Sequence, residues 1–194
     1  MLKQTYFWRL SFLAILVGVS WLGGLAPIEA AAQENPALIA LAEGKLRLKA
    51  PESWLRKKPQ SMIVEHEFAA PAAEGDTTDG RLTIMAAGGS VEANIDRWIS
   101  QFSQPDGGDT KQHSKTKKIQ VAGEDVYVVD ISGTFRDQRG PGAPAVERPK
   151  YRMLAAIIAT KSLGNHFVKF YGPEQTVAKH EKGFQTMIEG LEKK

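Results

Sequence analysis

The sequence predicts an α+β domain: an α/β/α sandwich with a mostly antiparallel central sheet of about six to seven strands and two main amphipathic helices. Three observations carry that prediction. Short runs of alternating or continuous apolar residues, separated by turn-rich segments, outnumber the helical stripes. Only two stretches, residues 91–102 and 174–191, repeat apolar residues at spacings of three and four. One strand, YRMLAAIIAT at residues 151–160, is apolar on both faces and therefore needs a cover on each side, which one helix per face provides.

The chain has 194 residues, 42% hydrophobic and 24% charged, enough for one modest globular domain. It has no cysteine, which excludes a disulfide scaffold, thiol catalysis and a thiolate metal site. Residues 1–32 join a basic start (Lys3, Arg9), an apolar run from Leu10 to Leu22 and the small residues Ala30, Ala31 and Ala32, the pattern of a secretory signal peptide. That run is too short for the roughly 20 residues of a membrane-spanning helix, and no second long apolar segment follows. The expectation is export to the periplasm or the extracellular space, with no stable membrane insertion after cleavage. Residues 33–43 read as an N-terminal extension and residues 44–194 as a single domain. Removing the leader leaves a formal charge of about +2 and no dense basic stripe, which argues against a nucleic-acid partner.

Within the domain, Leu46 and Leu48 alternate with Lys45, Arg47 and Lys49 as a first strand, and Pro51 ends it with Trp54 just beyond, placed to plug one end of the core. Residues 62–68 alternate as a second strand, the acidic segment 71–80 turns the chain, and Leu82, Ile84 and Ala86 form the inward set of a third. Ser90 is positioned to cap a helix over 91–102 that buries Val91, Ile95, Trp98, Ile99 and Phe102, and the QPDGG segment at 104–108 stops it. A strand starting near Lys117 leads by the turn at 122–125 into another over 126–135. Residues 137–149 (DQRGPGAPAVERP) cannot continue a sheet and read as a long mobile loop. Strands over 151–160 and 166–171 follow. A final helix runs from Pro173 to the C-terminus on the stripe Val177, His180, Phe184, Met187, Ile188 and Leu191.

The APESW entry at 50–54, the strand pair followed by a tryptophan-bearing helix, VYVVDISGTF at 126–135, YRMLAAIIAT and the ending HFVKFYGPEQTVAKHEKGFQTMIEGL together resemble the PsbP/Mog-like superfamily over about residues 44–193. The resemblance implies an α/β/α sandwich that binds partners and has no shared catalytic residues. Several members are exported bacterial proteins.

Catalytic patterns are missing. His66, His113, His166 and His180 are scattered with no metal-ligand spacing, and neither GxSxG nor a phosphate-loop glycine pattern occurs. Alternation sends His66 to the face opposite Glu65 and Glu67, and His180 falls on the apolar stripe of the last helix as a packed histidine. Gly88, Gly89 and Ser90 make an ordinary strand-to-helix turn. Glu74, Asp76 and Asp79 share one loop without the glycine and distal glutamate of a calcium hand. No metal and no cofactor is expected. The candidate site is the set of cations around the base of the proline loop, Arg136, Arg139, Arg148, Lys150 and Arg152, whose forks suit carboxylate or phosphate groups on a protein partner. The sequence thus predicts an exported, non-enzymatic domain acting through an unknown protein partner or envelope assembly. The alternative is a periplasmic small-ligand or ion carrier using the sheet face or a helix N-terminus. A convergent polar pocket is not foreseen.

Overall fold

In a computed structural model of the chain, residues 37–138 and 142–194 are described; the expected signal peptide and Arg139 lie outside them. The elements in order are β1 (Leu38–Leu41), β2 (Leu46–Lys49), β3 (Leu55–Lys57), β4 (His66–Ala70), β5 (Gly80–Ala87), α1 (Val91–Ile99), β6 (Phe102–Ser103), α2 (Thr110–His113), β7 (Lys115–Val121), β8 (Glu124–Asp137), β9 (Val146–Ala159), β10 (Asn165–Pro173), α3 (Glu174–Glu189) and β11 (Glu192–Lys193). The α+β class and the antiparallel pairing hold, because hairpins join most neighbouring strands. The strand count does not. The main sheet has 8 strands in the order β3-β4-β5-β10-β9-β8, with β6 and β7 both pairing with β8, and a second sheet of 3 strands runs β1-β2-β11.

The additional strands are 2 to 4 residues long, too short to show a period of their own. β1 falls in the segment expected to be an extension outside the domain, yet Ile39 and Leu41 are fully buried and belong to the core. β11 likewise ends the expectation that the last helix runs to the C-terminus. Gly190 closes α3, and the Lys193 ammonium then engages Glu124, a carboxylate buried at the start of β8 and held below its usual range by that contact.

β9 is the covered central strand that its composition predicts, and alternation divides its residues between two cores. Leu154, Ala156 and Ile158 join Val168 and Phe170 of β10, Phe184 and Ile188 of α3 and the apolar residues of the small sheet. Met153, Ala155 and Ile157 join Phe167 of β10 and Ile95, Trp98 and Ile99 of α1. One helix of useful length therefore lies on each face, with the small sheet added on the α3 side.

Local chemistry fixes both helices. Ser90 caps α1, its Oγ accepting from Ala93 N at 3.1 Å, and the helix stops at Ile99 so that Phe102 can enter β6. α3 starts after Pro173, which offers no side-chain cap. Asp76 supplies one from the acidic loop: its Oδ2 accepts from Thr176 N at 2.9 Å and Thr176 Oγ1 at 2.6 Å. Asp79 accepts from Ala72 N, closing the same loop. Among the described residues no group of three acidic or histidine side chains could hold a metal ion. Trp54 is the expected plug, 4.7 Å from the Phe170 ring, with Nε1 donating to His180 Nδ1 at 3.1 Å. His180 Nε2 donates to the Pro71 carbonyl at 2.9 Å, so both ring nitrogens serve the core.

Two expectations change in the hairpin between β8 and β9. The sheet continues to Asp137 and resumes at Val146, so the connection is shorter than the sequence predicts. Pro149 sits inside β9, at a register shift where Gly133 faces Tyr151 and Phe135 faces Arg148. In that bulge its missing N–H costs no ladder hydrogen bond, and the adjacent Lys150 takes a φ of 55°. Gly133 is required there, since a Cβ would lie 2.6 Å from the Ser103 carbonyl oxygen of β6.

Candidate functional site

The structure does not gather the predicted cations into one surface. Arg152 faces α3, where Nε and Nη2 reach the two oxygens of Asp130 at 2.8 Å and Nη1 reaches Glu181 Oε2 at 2.8 Å. That double engagement raises its pKa above the ordinary value and leaves no donor face for a partner. The bulge reverses the alternation, so Arg148 lies on the α1 face. Its Nε donates to Asp137 Oδ2 at 3.0 Å and its guanidinium stands 6.0 Å from the Tyr151 ring. Lys150 is exposed on the bulge. Of the four described cations, Arg136, at the end of β8, is the one that lines the concave site beside α1.

That site is a pocket of about 640 Å³ on the α1 face of the sheet. Five segments of the chain build it. The floor is the β5-β10 pair: Arg81 beside Tyr171, then Thr83 beside Lys169, ending at Met85. Arg97, Ser100 and Gln101 form a wall at the end of α1, and residues 135–138 of β8 and its exit form the second. Residues 60–64, between β3 and β4, form the third. α1 is only 9 residues long, so it covers the sheet at Phe167, with Trp98 edge-on to that ring at 5.5 Å, and leaves the rows at Lys169 and Tyr171 open.

Electrostatics divides the cations of the pocket into neutralised and unneutralised groups. Arg81 is bidentate to Glu67 of β4, with Nε to Oε1 at 2.9 Å and Nη2 to Oε2 at 2.8 Å, and it also donates to Tyr171 Oη at 2.6 Å. The Glu67 hydrogen bond raises its pKa. Asp137 is engaged by Arg148. Lys169 is half-buried on the floor and donates to the neutral Gln101 Oε1 at 3.1 Å. It lies 5.6 Å from the Tyr171 ring and 6.0 Å from Trp98. Arg97 reaches only the amide oxygen of Asn94, at 2.7 Å. Among the described residues no carboxylate lies within ion-pair distance of Lys169, Arg97 or Arg136. Burial, with repulsion from Arg97 and Arg81, pulls the Lys169 ammonium from 10.5 down to about 8.

Apart from Arg136, sequence reasoning missed these residues. Arg81 and Lys169 sit at alternating positions of apolar strands and read as a solvated face, and Arg97 sits on the polar side of its helix. One signal was present: a charged residue on an inner strand of a sheet expected to be covered on both faces is an unusual placement. Elsewhere the bland readings hold. His66 faces away from Glu67, its Nε2 donating to the Ala40 carbonyl at 3.0 Å and its Nδ1 lying 3.1 Å from Arg56 Nη1. Asn94 bonds the Gly88 and Ser90 carbonyls in the turn before α1.

No protein family model matches the sequence, and no curated protein does. Among solved structures the chain is similar to cyanobacterial PsbP (CyanoP) from Synechocystis, at 10% identity and a TM-score of 0.49, over 87% of this chain and 100% of that one. It is also similar to a Pseudomonas aeruginosa protein of unknown function described as a putative regulator, at 15% identity and a TM-score of 0.44, over 79% and 93%. A Bacteroides thetaiotaomicron protein follows at 16% identity and a TM-score of 0.41, over 80% of this chain and 47% of that one. Among the described residues no helix is long and apolar enough to cross a membrane.

Proposed function

We propose that the chain is an exported, non-enzymatic binding domain that takes a small anion in the pocket over β5 and β10. The observation that carries this reading is Lys169: a half-buried ammonium between Arg81 and Arg97 with no carboxylate partner. Glu67 neutralises Arg81 and Asp137 is taken by Arg148, so the charge on Lys169 is not matched by a carboxylate of its own; that costs free energy in the empty site, and a bound anion removes the cost. Export rests on the leader-like residues 1–32. The choice of a ligand pocket over the proline loop rests on Arg148 and Arg152, whose donors already serve Asp137, Asp130 and Glu181.

A thermal-shift series with phosphate, sulfate and short carboxylates at pH 7 tests the reading. A ligand that binds only the folded state adds about 2.7 kcal/mol at one hundred times its dissociation constant. Anions are expected to raise the melting temperature of the native chain and to leave Lys169→Met unmoved at matched ionic strength. Equal response of the two proteins removes the pocket from the proposal. Protein docking at the hairpin tip keeps one supporting observation, Val146, which is 48% exposed beside it. Deleting residues 140–146 and looking for loss of a captured envelope protein tests that second reading.

A further inference from the structure

We infer that the anion taken by this pocket is amphiphilic, an organic anion with an apolar body rather than a bare inorganic ion. The inference rests on the reading above and adds the chemistry of the rest of the ligand. The cations are not spread evenly over the walls. Arg81, Lys169 and Arg136 lie toward the Tyr171 end, whereas Ile63, Val64 and Met85 lie together at the other, with Arg97 held by Asn94 at the rim of α1. Arg81 and Met85 are four residues apart on one strand and on one face, which separates the charged and apolar ends by roughly 13 Å. Lys169 pairs with Thr83, so it stands one side-chain row, roughly 7 Å, from Met85.

The apolar end is partly uncovered: Val64 is buried and Met85 packs against the α1-side core, but Ile63 stands open. Ile63 is 70% exposed although it lines the pocket, and the neighbouring Met62 is fully exposed. Neither belongs to the two hydrophobic cores. The volume of about 640 Å³ lies in the range of sites for organic ligands and far exceeds a sulfate or phosphate ion. An anionic head at Lys169, within the field of Arg81 and Arg97, places the body of such a ligand along Met85, Val64 and Ile63. Charge complementarity fixes the head and apolar burial fixes the direction.

Calorimetric titration of the full chain at pH 7 with a homologous series of carboxylates, acetate, butyrate, hexanoate and octanoate, all below their micellar concentrations, tests the inference. Each methylene laid on the apolar strip is expected to tighten binding about fourfold, flattening once the strip is covered. Ile63→Ser, a change at an exposed residue, is expected to reduce the slope and to leave the acetate affinity unchanged. Acetate binding as tightly as octanoate overturns the amphiphile and leaves the anion reading intact. Octanamide matching octanoate overturns the charged head. Identical affinities in the native chain and Lys169→Met overturn both readings together. Sedimentation with phosphatidylglycerol vesicles, in the absence of any binding of free octanoate, overturns the inference in favour of a membrane surface.

Discussion

The two faces of the main sheet are made by the same strands and end in opposite conditions. On the α3 face a helix of 16 residues, about 24 Å long, and a three-stranded sheet bury most of the apolar rows, leaving Ile119, Val121 and Val128 at the β7 edge partly buried. There the half-buried Arg152 holds two carboxylates. On the α1 face a helix of 9 residues, about 14 Å long, covers half of the rows and leaves Lys169 with a neutral amide and two neighbouring cations. Phe170 and Lys169 are adjacent in the chain. The length of the covering helix, rather than the strand, decides that one completes a core and the other floors a pocket.

The comparison breaks first on core truncations. Phe184→Ala on the closed face is expected to cost about 3–5 kcal/mol in urea unfolding. Ile188→Ala should cost more than Ile95→Ala on the open face, because Ile95 keeps solvent at one edge from which its cavity can relax. Equal losses would mean that the two covers are equivalent. Arg152→Met should come next, at about 2 kcal/mol, since it strands Asp130 and Glu181 while both retain some solvent. Asp76→Ala removes the only side-chain acceptor found at the start of α3 among the described residues and should cost about 1 kcal/mol by the same measurement.

The smallest effect has the opposite sign. Lys169→Met is expected to stabilise the ligand-free protein at pH 7 by about 1 kcal/mol, because it removes an unneutralised charge from the pocket floor. The pH dependence isolates the cause. The folded-state value of about 8 lies below the ordinary 10.5, so between those limits the unfolded chain carries a proton that the folded chain has released. Native stability should therefore rise with pH across that window through this group, and the rise should be absent in Lys169→Met. Melting curves from pH 7 to pH 10.5 decide it, and a shared slope in both proteins would assign the dependence to other groups.

Much of the fold was legible because it is local. Ser90 announces α1, the 151–160 run announces a strand covered twice, and the 177–191 stripe announces α3, each within a few residues of sequence. β1, β3, β6 and β11 were illegible because strands of 2 to 4 residues exist only through their partners: β6 needs Gly133, and β11 needs β2. Pro149 marked the end of the loop in the sequence and sits inside a strand in the structure, since a bulge excuses its missing donor. The candidate site fared worst. Of the four described cations grouped by sequence proximity, Arg148 and Arg152 are separated by a reversed alternation onto opposite faces, and Arg136 is the one that lines the pocket.

What the sequence alone determined is the periodic part of this protein: the α+β class, the doubly covered strand, the two helical stripes and the lack of any familiar catalytic spacing. These follow from side-chain direction, which repeats every two residues in a strand and every 3.6 in a helix and needs no distant contact. Only the tertiary structure decided which cations meet. Arg81, Arg97, Arg136 and Lys169 come from four separate elements, and their repulsion and shared pocket exist only once β10 lies between β5 and β9 with α1 laid across part of them. Coulombic interaction depends on distance in space, and chain order carries no record of it.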